Sequence, residues 1–456
     1  MRPVTHATDK IIEWYLSCFK AFEGSLNGES KLPIHLLRKT AIAKFAEMGF
    51  PTTKNEDWRF TNVTPIARAE FSPATGRQTM NVSSRDIEKF TLGGLKSHRL
   101  VFLNGHHAPG LSSGAELPAG VKITGLASVL TSDGNLLYRH LGQHVRGDEN
   151  GFTALNTSFM QDGAFVYIPD GVIVEEPIHL LFVSTGGDAS FVSNPRNLII
   201  AGNGSQVSIV ESYVSLAGVP YLTNAVTEMV VGERAVIEHD KYQNESLNAF
   251  HVGTTYVRQS AASKVVSNSV SMGGSIVRNT VTLVLDGEGI ESILNGLSLG
   301  TGQQLVDNHT TIDHAKPHCV SHELYKSILD GKSRGVFNGK IFVRVDAQKT
   351  DAKQTNKTLL LSDDAMVDTK PQLEIFADDV KCTHGATVGQ LDEEQVFYLR
   401  SRGLSEVNAR DLLTYAFASD VINRIHVEPL REQLDSVLAG RLRKGRELQE
   451  SRPSRL

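Results

Sequence analysis

Two hydrophobic periodicities divide this chain. Between residues 8 and 50, apolar side chains recur every three or four positions, first as Ile12, Tyr15, Leu16, Phe19 and Phe22 and then as Leu36, Leu37, Ala41 and Phe45. That is the spacing of one face of a helix, and Gly49 supplies a stop. From about residue 150 the texture changes to short alternating runs rich in Val, Ile, Thr, Ser, Asn and Gly, broken by turns, which is the pattern of extended strands. After Leu391 helical spacing returns in Val396, Leu399 and Leu404, then in Leu412, Leu413, Ala416, Phe417, Val421, Ile422 and Ile425, with Asp392 placed to cap the first turn. The pattern predicts an N-terminal region, 1–149, helical at its start, a β body over 150–391, and a C-terminal helical region over 392–456.

Inside the β body one unit recurs: an apolar run, a small or polar turn, and a second apolar run. Turns at Gly202, Gly232, Ser260, Gly287, Gly331 and Asp363 are mostly about 27 to 32 residues apart, with a longer gap before Gly331. No helical stretch lies between them, so a doubly wound sheet or a (βα) barrel is opposed. Strands stacked as coils, each burying its inner face against the next, account for the period better. Asn203 and Asn268 are expected at the tight corners.

Charge and composition narrow the function. A formal net charge of −5 opposes a general nucleic-acid binder, and the arginines from Arg441 to Arg455 read as a solvated helix end or loose tail. No run approaches the roughly 20 apolar residues of a membrane span, and the first residues lack the apolar core of a signal peptide. A cytoplasmic protein is expected. Three scattered cysteines, Cys18, Cys319 and Cys382, suit a reducing compartment, and Cys18, beside the apolar stripe of the first helix, reads as core filler.

Several enzyme signatures begin and then fail at a required residue. Gly331-Lys332-Ser333 ends like a phosphate-binding loop, but Lys326 stands where its first glycine belongs. His322-Glu323 opens like a zinc-protease helix, yet Lys326 again replaces the second histidine. Gly202-Asn203-Gly204 and Gly287-Glu288-Gly289 lack the third glycine of a dinucleotide loop. The segment from Asp307 to Glu323 is richest in donors, with His309, His314, His318, Cys319 and His322, and it carries the alternative reading of a metal-dependent β-solenoid enzyme. Against that, Pro317 opposes a helix aligning the histidines, and Val306, Asn308, Thr310 and Ile312 alternate with Asp307, His309, Thr311 and Asp313 as in a strand with one polar face. The expectation is a surface ladder of hydrogen-bonded imidazoles. In Val380-Lys381-Cys382-Thr383-His384-Gly385-Ala386-Thr387, a thiol and an imidazole alternate, so an extended segment sends both to one face. Such a pair can hold iron or sulfur species, or act as nucleophile and base.

With these residues the chain resembles the SufD family of iron-sulfur cluster assembly proteins. The resemblance rests on Lys54-Asn55-Glu56-Asp57-Trp58-Arg59-Phe60-Thr61, the stretch from Ala347 to Ser362, Lys370-Pro371-Gln372-Leu373-Glu374-Ile375, the stretch from Asp378 to Thr387, and Phe397-Tyr398-Leu399-Arg400-Ser401-Arg402-Gly403. The paralogue SufB typically has His-Glu-Ala-Thr where this chain has His384-Gly385-Ala386-Thr387. The resemblance implies a right-handed parallel β-helix between helical ends, and a scaffold without catalytic activity of its own. It implies SufB and the ATPase SufC as partners in a multi-subunit complex, with the helices from Asp392 to Ile425 as the SufC dock. It also implies His384 as an iron ligand and Cys382 as a secondary thiolate or sulfur-handling group. A transient iron-sulfur cluster or iron at the SufB interface is then expected, with none held tightly by the isolated chain. The sequence does not choose between a homodimer and a partner complex, nor say whether reduced flavin joins the assembly.

Overall fold

The computed structural model describes residues 4–74, 82–93, 95–114, 116–132, 134–186 and 190–450. The chain is mainly β, a solenoid of about eight turns built from parallel strands, with helices at both ends. From Arg196–Ala201 onward, successive strands alternate between two sheets. One sheet runs from Lys122–Gly125 to Met366–Ile375 and the other from the hairpin of His98–Leu103 and His106–His107 to Lys381–Gly389. The sheets therefore take in residues well ahead of 150. Ile276 pairs with Leu305, Leu305 with Arg334 and Arg334 with Met366, so one coil takes about 30 residues.

Each coil turns one corner through a residue in the left-handed region: Gly171, Gly204, Arg234, Ala262, Gly289, His318 and Lys349. Their N–H groups climb the solenoid as a ladder. Gly204 donates to Glu233 O at 2.7 Å, Arg234 to Ala261 O at 2.9 Å, Ala262 to Glu288 O at 2.8 Å and His318 to Gln348 O at 2.9 Å. This explains the irregular gap in the repeat. Gly202, Gly232, Ser260 and Gly287 lie at this edge, whose next member is the Pro317-His318 turn, whereas Gly331 and Asp363 turn the opposite edge. Asn268, expected at a corner, lies instead inside the strand Lys264–Ser271, where its amide bonds Asp240 Oδ1 at 2.7 Å and accepts from Asn295 at 2.8 Å.

The interior holds one large apolar cluster, including Ile199, Ile209, Met229, Val257, Leu283, Ile312 and Phe337. The outer face of the second sheet is apolar too, because the helices Glu406–Ile422 and Glu428–Glu450 cover it: Val210, Leu297 and Ile328 pack with Val421, Ile422, Leu430 and Leu434. Lys326 fixes the first of these helices by donating to Phe417 O at 3.0 Å and pairing with Asp420 at 2.8 Å. Of the C-terminal arginines, Arg441 is a latch rather than a solvated helix end, and Arg452 and Arg455 lie outside the described residues. The Arg441 guanidinium reaches Met272 O at 2.6 Å and Asn244 Oδ1 at 3.1 Å.

The helix boundaries follow local chemistry. Gly49 ends Pro33–Met48 at φ 60° and donates to Phe45 O at 2.8 Å, and the Asp392 carboxylate caps Glu393–Ser401 through Glu394 N at 2.9 Å. The N-terminal helices pack through Tyr15, Phe19, Phe45 and Phe50 onto Phe152 and Phe159. Cys18 borders this cluster half-buried.

Candidate functional site

Cys382 and His384 stand on Lys381–Gly389, the last strand of its sheet, paired with Asp351–Leu360 on one side only. Ala352 lies opposite Cys382 and Gln354 opposite His384, and both are buried inward-facing residues. The last strand repeats their alternation, so thiol and imidazole leave on the lumen side of the final coil, about 7 Å apart along the strand. Cys382 is half-buried against Ile341, Val343, Ala352 and Ala377. Burial raises its thiol pKa, opposed by a hydrogen bond from the Ala352 backbone and reinforced by the charge of Asp351. His384 is exposed. Beneath it stand Gln354 and Glu323 in the same column, with Gln354 Nε2 donating to Glu323 Oε2 at 2.7 Å. Burial pushes the Glu323 carboxyl up to about 7, against the opposing Thr310 hydroxyl and Gln354 amide.

The two ends of the solenoid differ. At the start the sheets are finished by antiparallel partners, Lys122–Gly125 beside Ala164–Ile168 and His106–His107 beside His98–Leu103. At the other end, among the described residues, Met366–Ile375 and Lys381–Gly389 both present a free edge, and large apolar side chains are exposed around it: Met366, Ile375, Phe376 and Val388. An open parallel edge with apolar neighbours is a template for another chain.

The donor-rich segment from Asp307 to Glu323 disperses. His309 Nε2 lies 3.1 Å from Asp307 Oδ1 on the outer face, whereas His314 points inward, buried, and bonds Ser321 Oγ at 2.9 Å. Burial pushes the His314 imidazole down to about 4. His318 is an exposed corner, Cys319 is buried and donates to Gly287 O at 3.2 Å, and His322 is exposed on the strand Val320–Leu329. Among the described residues no group of three or more His, Cys, Asp and Glu side chains is arranged to hold a metal ion. The segment is not the single ligand set that the enzyme reading required, nor is it a surface ladder of imidazoles. Its alternation is as expected, with Val306, Asn308, Thr310 and Ile312 all buried.

Asp307 has a different partner. Its carboxylate receives Thr61 and Arg278, and the Arg278 guanidinium donates to Asp57 O at 2.8 Å and lies 4.3 Å from the centre of the Trp58 ring. Glu56 reaches Lys370 on the last coil at 2.8 Å. The segment from Glu56 to Thr61 is thus a strap across the outside of the first sheet.

A buried polar network went unread in the sequence. Glu211 bonds His239 at 3.0 Å and Tyr213 at 2.6 Å, Glu245 bonds His251 at 2.8 Å and Thr223 at 2.6 Å, and Lys241 bonds Asn279 at 3.0 Å. Burial alone would raise the Glu211 carboxyl, but His239, Lys241 and Tyr213 together hold it at about 2. The available signal was charge at inward positions of alternating strands, at Glu211 and at Lys241 one coil on.

No helix among the described residues is long and apolar enough to cross a membrane. Comparison with known proteins finds the SUF system FeS cluster assembly SufBD core domain over residues 182–417 and the SufBD protein N-terminal region over residues 9–180. The chain is 35% identical over 405 residues to an iron-sulfur cluster assembly SufBD family protein of Synechocystis, covering 87% of this chain and 88% of that one. It is 32% identical over 403 residues to the iron-sulfur cluster assembly protein SufD of Escherichia coli, covering 88% and 91%. It is also 32% identical over 439 residues to the chloroplastic protein ABCI7 of Arabidopsis thaliana, covering 94% and 90%. With both domains matched and relatives aligned over most of their length, the chain belongs to the SufBD family of iron-sulfur cluster assembly proteins, with SufD proteins among its relatives.

Proposed function

We propose that this chain is a non-catalytic scaffold subunit of the SUF machinery, acting with SufB and the ATPase SufC, and that Cys382 and His384 are its half of a cluster-assembly site completed by SufB. The observation that carries this reading is the open end of the solenoid, where both free sheet edges, an apolar rim and the thiol-imidazole pair lie together. Two donors leave an iron ion short of ligands, so the remaining ones come from the partner chain, sulfide or water. Iron and the nascent cluster are cargo in this reading. His384 offers a ring nitrogen at the exposed edge, and Cys382, deeper and with a raised thiol pKa, serves as a secondary thiolate once iron or a neighbouring cation favours its ionised form.

The C-terminal helices supply a second surface. Phe397 is 72% exposed and Tyr398 is exposed on Glu393–Ser401, and Leu412 is exposed on Glu406–Ile422, which Lys326 fixes to the second sheet and which Arg410 ties to Glu393 at 2.6 Å. This is the surface assigned to SufC. Strain from the ATPase would pass through these helices to the coils beneath the open end.

Size-exclusion chromatography of the chain mixed with SufB and SufC tests the assignment. A single three-component peak is expected, with Phe376→Asp releasing SufB and Phe397→Asp releasing SufC. Failure of the unmodified chain to join either partner would overturn it.

A further inference from the structure

Glu323, Gln354 and His384 occupy one inward column on three successive coils of the second sheet. Glu323 and Gln354 are almost fully buried, yet among the described residues Gln354 Oε1 has no hydrogen-bond partner. Gly339 makes room for this column across the lumen, since a Cβ there would come within 2.4 Å of Gln354 Nε2. An ionised carboxylate only accepts hydrogen bonds, so the 2.7 Å contact to Glu323 Oε2 turns the Gln354 NH₂ group toward the earlier coil. Its carbonyl oxygen is left for the later coil, where His384 is the next residue, one strand spacing of about 4.8 Å away.

The same sheet already uses this device. Asp240, Asn268 and Asn295 also stand in register, and there the carboxylate accepts from the first amide at 2.7 Å and the first amide accepts from the second at 2.8 Å. An imidazole N–H can take the place of the last amide. Building on the reading of His384 as an iron ligand, we infer that Gln354, oriented by Glu323, is a positioning residue that accepts one ring N–H of His384 and so aims the other ring nitrogen at the incoming metal. A metal-binding histidine commonly donates its second ring N–H to such an acceptor, which fixes its tautomer.

The test reads the tautomer directly, on the full-length chain without iron. Histidine is labelled with ¹⁵N, the His384 signals are identified by their loss in His384→Gln, and the ratio of neutral tautomers is measured at pH 8.5. One tautomer is expected to dominate. In Gln354→Met, which keeps the volume and removes the acceptor, the ratio should move toward that of free imidazole by about 5-fold. Glu323→Gln should shift it in the same direction, because a neutral amide no longer dictates which way Gln354 faces. It also carries the test if Gln354→Met fails to fold. An unchanged ratio in folded Gln354→Met, or in Glu323→Gln when the methionine variant does not fold, overturns the inference. Iron affinity of the assembled site should fall roughly 10-fold in Gln354→Met. Failure of the cluster-assembly reading shows separately, as an undiminished cluster yield in His384→Ala.

Discussion

Asp307 offers the sharpest test of how the N-terminal strap is held. Its carboxylate is fully buried, receives Thr61 and Arg278, and lies 3.1 Å from His309. Burial by itself would raise its pKa, but Arg278 and His309 outweigh burial and hold it at about 2, below the ordinary value of 3.8. A carboxyl with a depressed folded-state pKa stabilises the fold above its unfolded pKa, and that contribution is lost as pH falls from about 4 through about 2. The shift corresponds to about 2 kcal/mol at neutral pH. Asp307→Asn, which removes the charge and keeps the shape, should cost about that much. Asp307→Ala also strands the buried Arg278 guanidinium, and breaking a buried pair from one side costs about 3–5 kcal/mol. The assay is equilibrium unfolding in urea at pH 7.5, followed by Trp58 fluorescence in a Trp14→Phe background, together with proteolysis of residues 52–62. Earlier cleavage of the strap and a loss within that range are expected. A loss under about 1 kcal/mol in Asp307→Ala, with the strap still protected, would refute the latch.

Glu323 should behave with the opposite sign. Its folded-state pKa of about 7 lies above the ordinary 4.5, so ionisation is resisted in the fold and stability falls as pH rises from about 4.5 through 7, by about 3 kcal/mol in all. Glu323→Gln should therefore stabilise the chain more at pH 8 than at pH 5, and equal gains at both would contradict the assignment. Gly151 opens the helix Gly151–Ser158, and a Cβ there would meet Gly49 O at 2.0 Å. Gly151→Ala should cost more than about 2 kcal/mol, whereas Gly385→Ala, with nothing within 4 Å of the added carbon, should stay within about 0.5 kcal/mol. Mass spectrometry after iodoacetamide treatment should find Cys319 untouched until the chain unfolds. Cys382 should react, faster as pH rises, and under the proposed pairing become protected when SufB is added. Early alkylation of Cys319 would contradict its burial.

Local chemistry made much of the fold readable. Gly49 and Asp392 ended and began helices where their conformational freedom and side-chain oxygen suggest, and the alternation from Val306 to Asp313 placed its apolar members inward. Contacts between distant coils were harder to read. A solenoid has two corner edges, and the Pro317-His318 corner was hidden in a stretch conspicuous for its histidines, so the corners of both edges merged into one series. His314 and His309 are five residues apart yet face opposite sides of one strand, a distinction that alternation permits but a search for ligand clusters overlooks. The strap residues Trp58 and Thr61 meet Arg278 and Asp307 across more than 200 positions. No local pattern encodes that meeting. Cys382 and His384 did share a face, as alternation requires, but Glu323 and Gln354 beneath them emerge only from strand register.

Anaerobic cluster reconstitution on the proposed complex with SufB and SufC, comparing the unmodified chain with His384→Ala, decides whether His384 belongs to a cluster-assembly site. The variant should fold and enter the complex normally, because His384 is exposed on the final coil, while the visible absorbance of the assembled cluster falls several-fold. Full cluster yield in the His384→Ala complex would contradict that assignment.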